Sequence, residues 1–423
     1  MKYFSYQKSP LILVSALALL SPALVAKTSL HDILQYAFIS DPTLDEAKAN
    51  ISMAKSQTKV SEAGHLPIIS VTGTQVLNQQ HRYTSERRSG PGLAARVNLY
   101  AWGGIEAEIE RDKYKETYYQ HKLTETRELM GQDISQLYLA ALRAKETISI
   151  YKESLQRHNK ILKDLGVIAT FDEGRYSEVN EALSRKNQVE TTILMQERAL
   201  QSALNRLSRY SGKVLSASDL VDPFSKVNVQ SFIERYKNNS ISNNPSYLAQ
   251  QAEFESSRAA VDAAKARRLP AINLEGTANR HEHEVYLNMS WDIYNPASKY
   301  AEQQSYYSQK AAEAKLREIE LSVKEKSLTS ETDMIRNQRL ALVAQKQIAL
   351  QRKVIADNEL QFEVAARSLI DLLNSYQELT RVQIDEVTAR SDFRDAALAY
   401  LTSQARITHW VGLESVSSKV KKK

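Results

Sequence analysis

The stretch Arg280 to Glu284, Arg-His-Glu-His-Glu, puts two histidines and two glutamates within five positions, the side-chain types that hold a transition metal. Its histidines stand two apart rather than at i and i+4, so a helix would not turn both imidazoles toward one ion. The stretch lies between two alternating apolar segments, and an exposed turn whose stability a chelator does not touch accounts for it. Elsewhere there is no glycine-rich phosphate loop, and the Ser, His and Asp residues lack the strand-to-helix elbow of a nucleophile. With no cysteine, the chain has no disulfide, thiolate metal site, cysteine nucleophile or lipidated N-terminal Cys. Neither enzyme activity, metal nor cofactor is expected.

Charge points the same way. The net charge is only +6 from 56 basic and 50 acidic residues, and much of the excess sits near the start and in Lys421 to Lys423. A nucleic-acid partner would require a concentrated basic face, which is missing. Lys2 and Lys8, the apolar run Leu11 to Leu20, and the small residues Ser21, Ala23 and Ala26 read as a secretory signal peptide over 1–26. That run is about half of the roughly 20 residues a spanning helix needs. No later segment supplies such a run.

Elements long enough to carry a far-reaching architecture follow from the scarcity of breakers, 12 glycines and 9 prolines in 423 residues. No proline lies between Pro91 and Pro223 or after Pro296, which permits two very long helical tracts. Within the first, Ile134, Leu137, Tyr138, Ala141 and Leu142 fall at i, i+3, i+4, i+7 and i+8. About 60 such residues would extend about 90 Å, too far for one compact core, so these helices must pack along one another.

The chain is also doubled. Leu66 to Thr74, LPIISVTGT, and Leu269 to Thr277, LPAINLEGT, share one skeleton at an offset of 203 (269 − 66), as do Asp41-Pro42 and Asn244-Pro245. Each copy runs from a Pro-marked turn through a helix of about twenty residues, a strand, a polar tip, a return strand and a long helix. The return strands are Leu93 to Gly104 and Val285 to Pro296, and later positions such as Arg175 and Arg367 lie 192 apart (367 − 175), so the second hairpin is shorter. The organisation is therefore a first repeat over 27–210, a linking segment over 211–243 that is mixed and solvated in character, a second repeat over 244–405, and a C-terminal segment with a basic tail over 406–423. In the turn Asp172 to Arg185, Gly174 is expected to break one helix, Ser177 to cap the next and Glu178 to sit at its start.

In the strands, Val285, Leu287, Met289 and Trp291 alternate with Tyr286, Asn288, Ser290 and Asp292, and Ile272 and Leu274 alternate with Asn273 and Glu275. Four strands cannot close a barrel, and open strand edges are not tolerated in lipid. Three chains would pool 12 strands, an even number within the range of membrane barrels, with the apolar set facing lipid.

These features together resemble the TolC family of outer-membrane channel proteins. Leu66-Pro67 and Leu269-Pro270 match its lead-in to the strand, and Trp102-Gly103-Gly104 matches its strand exit, which is degraded to Tyr294-Asn295-Pro296 in the second copy. The resemblance covers nearly the whole mature chain. It implies a mainly helical fold with a small β part: a trimeric tube of long antiparallel coiled-coil helices, and four strands per chain in a 12-stranded transmembrane barrel. It implies an outer-membrane location with most of the chain in the periplasm. The implied partners are two sister chains, a periplasmic adaptor, an inner-membrane ABC transporter or other pump, and outer-membrane lipid.

The family's helix turns form a closed periplasmic tip with polar locks between helix pairs. Residue by residue, its second-turn Arg matches Arg367, its hydroxyl-acid pair matches Ser177 and Glu178, and its Tyr before the second turn is Phe362, which removes a hydroxyl bond. Of its two constriction acids the first matches Asp371 and the second is Asn374, so a threefold Asp371 ring would focus cations less strongly than six carboxylates. Gly174, Arg175, Ala365 and Ser368 fall where the tip meets an adaptor. The segment Asp172 to Arg185 looks like the subgroup that serves type I secretion of an adhesin or toxin. An efflux channel for small molecules uses the same architecture, and a soluble periplasmic coiled-coil adaptor or scaffold is the rival from another class.

Overall fold

The computed structural model describes residues 28–413 except 76, 78–89, 239, 281 and 365. The expected signal segment and the Lys tail lie outside the described residues. The structure is mainly helical, with four antiparallel strands.

The helix α1 (Leu30–Ser40) starts in a capping box in which Ser29 Oγ accepts from Asp32 N and the Asp32 carboxylate accepts from Ser29 N. The Pro-marked turns of the two copies are the same capping device. Asp41 Oδ1 accepts from Thr43 N to start α2 (Pro42–Glu62), and Asn244 Oδ1 accepts from Ser246 N to start α6 (Pro245–Ala266), each with proline at the first helical position. Each leads to a hairpin: β1 (Ile68–Thr74) with β2 (Gly90–Tyr100), and β3 (Ala271–Asn279) with β4 (His283–Ser290).

The long helices are α3 (Gly104–Ala169) and α7 (Pro296–Glu363), of 66 and 68 residues. Each is about 100 Å long at 1.5 Å per residue. The strand exit before α3 explains its two glycines. Trp102 and Gly103 have φ of 54° and 75°, and a Cβ on Gly104 would lie 3.1 Å from Ala266 Cβ, so the first glycine makes the turn and the second admits α6. Before α7 the degraded exit works differently: Asn295 has ordinary backbone and caps Ser298 N, with Pro296 first in the helix. The antiparallel partners α4 (Tyr176–Ser211) and α8 (Leu369–Ser403) return along α3 and α7, and α8 also packs on α3. Among the described residues, no helix is long and apolar enough to cross a membrane.

The four strands form one antiparallel sheet in chain order, so β1 and β4 are its edges. The register aligns Ile272 with Met289, Leu274 with Leu287 and Val97, and Ala95 with Ile69, giving one apolar face. Val71, Val285, Leu287 and Met289 on that face are 66 to 80% exposed, with nothing among the described residues covering them. A bulge between Asn98 and Tyr100 keeps Tyr100 opposite Ile272 on the same face. Trp291 lies one residue beyond the strand rather than within it, because β4 ends at Ser290 and the indole N–H donates to Arg268 O at 3.1 Å.

Most of the core lies at the waist of the helical body. There α1, α3, α4 and α8 meet the inter-repeat segment, with its helix α5 (Val229–Tyr236), and the C-terminal helix α9 (Ile407–Trp410). The inter-repeat segment is therefore not solvated as its composition suggests: Leu215, Leu220, Phe224, Val229, Phe232 and Tyr236 are all buried. Its few apolar residues sit between turn formers, which hides their common face from any periodicity.

Candidate functional site

Far from the sheet, the helices turn back at two short loops over a small core of Ile161, Leu165, Ala182, Ile355, Leu369, Leu372, Leu373, Tyr376 and Leu379. The first loop does not form as the sequence suggests. The helix α3 ends at Ala169, before Gly174, and the chain then makes a 3₁₀ turn, Glu173–Arg175, in which Asp172 Oδ1 accepts from Gly174 N at 3.1 Å. Ser177 is already the second residue of α4, whose cap position is Arg175 without a side-chain cap bond. A side chain inside the first turn cannot accept from the amides ahead of it, so Asp172 takes the capping role that Ser177 was expected to have. Glu178 does sit in the first turn, as expected, 3.3 Å from Arg175 Nε.

In the second loop Ser368 caps α8, accepting from Asp371 N at 3.2 Å and donating to Asp371 Oδ2 at 2.8 Å. Asp371 is exposed in the first turn, where the helix dipole favours a negative charge. Arg367 is exposed and donates to Gln361 Oε1 at 3.1 Å. Within one chain, then, Arg367 and Glu178 each bond a close neighbour in sequence rather than each other. Phe362 packs its ring against the tip core. Asn374 accepts from Arg185 Nη1 at 3.2 Å, and the same nitrogen reaches Gln377 Oε1 at 3.0 Å, which stitches α4 to α8. Ala365 lies outside the described residues.

Reading the turn sequences missed the polar layer just behind the tip. Tyr376 on α8 is buried and donates to Glu359 Oε1 on α7 at 2.6 Å. Burial, and then the bond to Glu359, pushes its hydroxyl pKa well above the usual tyrosine range. The ring of His158 meets Tyr376 edge-on at 6.0 Å, with Nδ1 bonded to Ser154 O. Burial pushes His158 below its ordinary 6.5, so it is neutral at pH 7. A cleft of about 310 Å³ opens beside it, lined by Arg185, Thr192 and Arg381. Arg185 pairs with Glu181, and Arg381 with Glu378 and Asp385, so the cleft has no cation left over for a ligand.

The waist holds the buried charges. Arg394 on α8, 1% exposed, makes a bidentate pair with Glu146 on α3 at 2.8 Å and bonds Asp222 of the inter-repeat segment at 2.7 and 2.9 Å. Glu128 on α3, also buried, accepts from the amides of Ile407 and Thr408 at 2.8 and 3.1 Å and so fixes the C-terminal helix. Gly131 admits that helix, since a Cβ there would lie 2.7 Å from Ile407 Cγ2. Trp410 stacks on Phe224 at 5.2 Å, joining the two segments. These contacts join positions 172 to 280 residues apart, and no local spacing in the sequence announces them.

Among the described residues no three His, Asp or Glu side chains converge on a metal site, and His281 of the Arg-His-Glu-His-Glu stretch lies outside them.

Residues 33–213 match the sequence profile of the outer membrane efflux protein family. No curated protein sequence matches the chain significantly. Among solved structures, the fold is similar to the Campylobacter jejuni CmeC outer membrane channel, at 12% identity and TM-score 0.76 over 93% of this chain and 88% of that one. It is similar to the outer membrane protein VceC of Vibrio cholerae, at 15% identity and TM-score 0.71 over 89% and 96% of the two chains. It is also similar to the open state of the Neisseria gonorrhoeae MtrE outer membrane channel, at 13% identity and TM-score 0.71 over 89% and 88%. The match of residues 33–213 to this family and the fold of the whole together support a TolC-like outer-membrane channel.

Proposed function

We propose that three copies of the chain form a passive exit duct through the outer membrane of a Gram-negative bacterium, continued by a helical tube across the periplasm. The observation that carries this reading is the four-stranded sheet, open at both edges with an uncovered apolar face, set at the end of helices about 100 Å long. Twelve pooled strands would leave no edge, and Val285, Leu287, Met289, Ile272 and Leu274 would face lipid, with Trp291 at the rim. The tube reading has support on α7, where Leu321, Leu328, Ile335 and Leu342 recur every seven residues and remain exposed, an apolar seam of coiled-coil period left for a sister chain.

Energy would come from an inner-membrane ABC transporter or another pump, joined through a periplasmic adaptor at the tip around Gly174, Arg175, Ala365 and Ser368. In the trimer, Arg367 of one chain would face Ser177 and Glu178 of the next and hold the tip shut. Three Asp371 carboxylates would ring the opening and favour cations. The cargo we favour is a polypeptide sent out by type I secretion, an adhesin or toxin, on the likeness of Asp172 to Arg185 to that subgroup. Efflux of small molecules is the second reading, favoured by the efflux family's profile over residues 33–213.

Membrane fractionation tests the duct. A barrel stays in the membrane through carbonate, needs detergent for release and runs as a heat-modifiable oligomer of three chains. A soluble adaptor or scaffold would wash off as a monomer. Deleting the gene and assaying surface-protein export beside drug sensitivity separates the two cargo readings. In planar bilayers, divalent-cation block that persists in Asp371→Asn would remove the acidic ring.

A further inference from the structure

The face of the sheet opposite the apolar one carries a cross-strand network. Register places Arg96 of β2, Glu275 of β3 and Tyr286 of β4 side by side, and the next row holds Asn98, Asn273 and Asn288. Glu275 is held on three sides. Its Oε2 accepts from the Tyr286 hydroxyl at 3.1 Å, its Oε1 accepts from Asn288 Nδ2 at 3.1 Å, and Arg96 Nε lies 3.7 Å from the same Oε1. Asn98 Nδ2 donates to Asn273 Oδ1 at 3.0 Å and closes the row below.

Three charged side chains share this face, Arg96, Glu275 and, one row further along β4, the exposed Glu284, and the paired two are not equally placed. The Glu275 side chain is recessed, 21% exposed, whereas that of Arg96 is 62% exposed. Among the described residues, neither Nη of Arg96 has a hydrogen bond, and the tether to Glu275 is through Nε. A guanidinium held at its base and open at its fork presents two parallel N–H groups, the geometry that matches a carboxylate. The Glu275 oxygens are taken up by a hydroxyl, an amide and the base of the guanidinium, so the carboxylate positions Arg96 without occupying its fork.

We propose that Arg96 is a carboxylate-binding contact on the inner wall of the duct, positioned by Glu275, so that the passage favours cargo bearing carboxylates. The inference rests on the barrel reading above, which turns this face inward, three Arg96 per channel. Salt at physiological strength screens such charges beyond about 8 Å, and dilute salt near 0.01 M extends that to about 30 Å. The contact therefore acts on groups that brush the wall and is felt across the lumen only in dilute salt.

The test uses the full chain reconstituted in planar bilayers under a potassium glutamate gradient in dilute and in molar salt. Arg96→Gln should shift the reversal potential toward potassium, by about twofold in permeability ratio in dilute salt, with the shift vanishing in molar salt. Arg96→Lys, which keeps the charge and loses the fork, should shift it by less than Arg96→Gln. An oligoglutamate peptide that blocks the wild-type current and not that of Arg96→Gln identifies acidic polypeptide as the carboxylate source. Selectivity for free glutamate without such block identifies small carboxylates.

Because the chain has no cysteine, Arg96→Cys gives a single thiol. Its reaction with a charged, membrane-impermeant thiol reagent should reduce the current, and a conducting channel that is never modified overturns the inward placement. Conducting channels whose reversal potential is the same in Arg96→Gln overturn the carboxylate contact while leaving the duct standing. A folded wild-type oligomer that never conducts overturns the duct, and this contact with it.

Discussion

The waist and the tip of the helical body are built from the same helices by opposite means. At the waist, buried charges are answered across elements far apart in sequence: Arg394 by Glu146 and Asp222, and Glu128 by the amides at the start of the C-terminal helix. At the tip the exposed charges are answered locally, Arg367 by Gln361, Arg175 by Glu178 and Asp371 by Ser368. A local bond survives when neighbouring helices slide, and a cross-element bond does not. The contrast teaches that the waist is tied across distant elements, whereas in the two tip turns, in front of the Arg185 stitch and the Tyr376 to Glu359 bond, the charges keep their partners if the helices shift.

The sharpest way to break this comparison is at Arg394. Arg394→Ala leaves Asp222 without its cation and Glu146 with only Arg390, 3.5 Å away, in a largely buried site and should cost about 3–5 kcal/mol, read as a fall in the urea midpoint of the detergent-solubilised oligomer. An effect no larger than that of a surface substitution would make the waist as loose as the tip. Next, Gly131→Ala drives a methyl into Ile407 and should cost about 1–3 kcal/mol, with faster proteolysis of the C-terminal segment as the local readout.

A smaller effect comes from pH behind the tip. The folded His158 pKa lies below the 6.5 of an exposed histidine, so above 6.5 both states are neutral and nothing changes. As pH falls through 6.5 the unfolded chain takes a proton that the buried ring resists, and stability declines toward the folded value. In His158→Gln the pH slope of the thermal midpoint below 6.5 should flatten. Least of all in stability is Arg367→Ser, which should stay within about 0.5 kcal/mol of wild type yet raise the open probability in planar bilayers. An unchanged closed state would take Arg367 out of the gate, and a large loss of stability would erase the difference between the two regions.

Much of the architecture was legible in the sequence because it is written in periods and repeats. The proline-led caps 203 apart, the alternation in Val285 to Ser290 and the proline-free tracts each depend on residues close in the chain, and the structure returns them as helix starts, one apolar sheet face, α3 and α7. Ser177 misled because two hydroxyl-acid turns look alike in sequence. At Ser368 the acid three residues on completes the cap, whereas before α4 an aspartate upstream already holds the turn. The Tyr376 to Glu359 bond and the Arg394 cluster were illegible for another reason. Each joins residues on different helices, and a lone buried arginine on α8 has the same composition signature as the exposed arginines around it.

The Arg394 cluster also sets an order on biogenesis. Along the chain Glu146 comes first, then Asp222, and Arg394 only with α8. Until α8 is in place these two largely buried acids lack the cation that pairs them, so the waist closes last. One guanidinium on α8 thus makes closure of the waist wait for the last long helix of the second repeat.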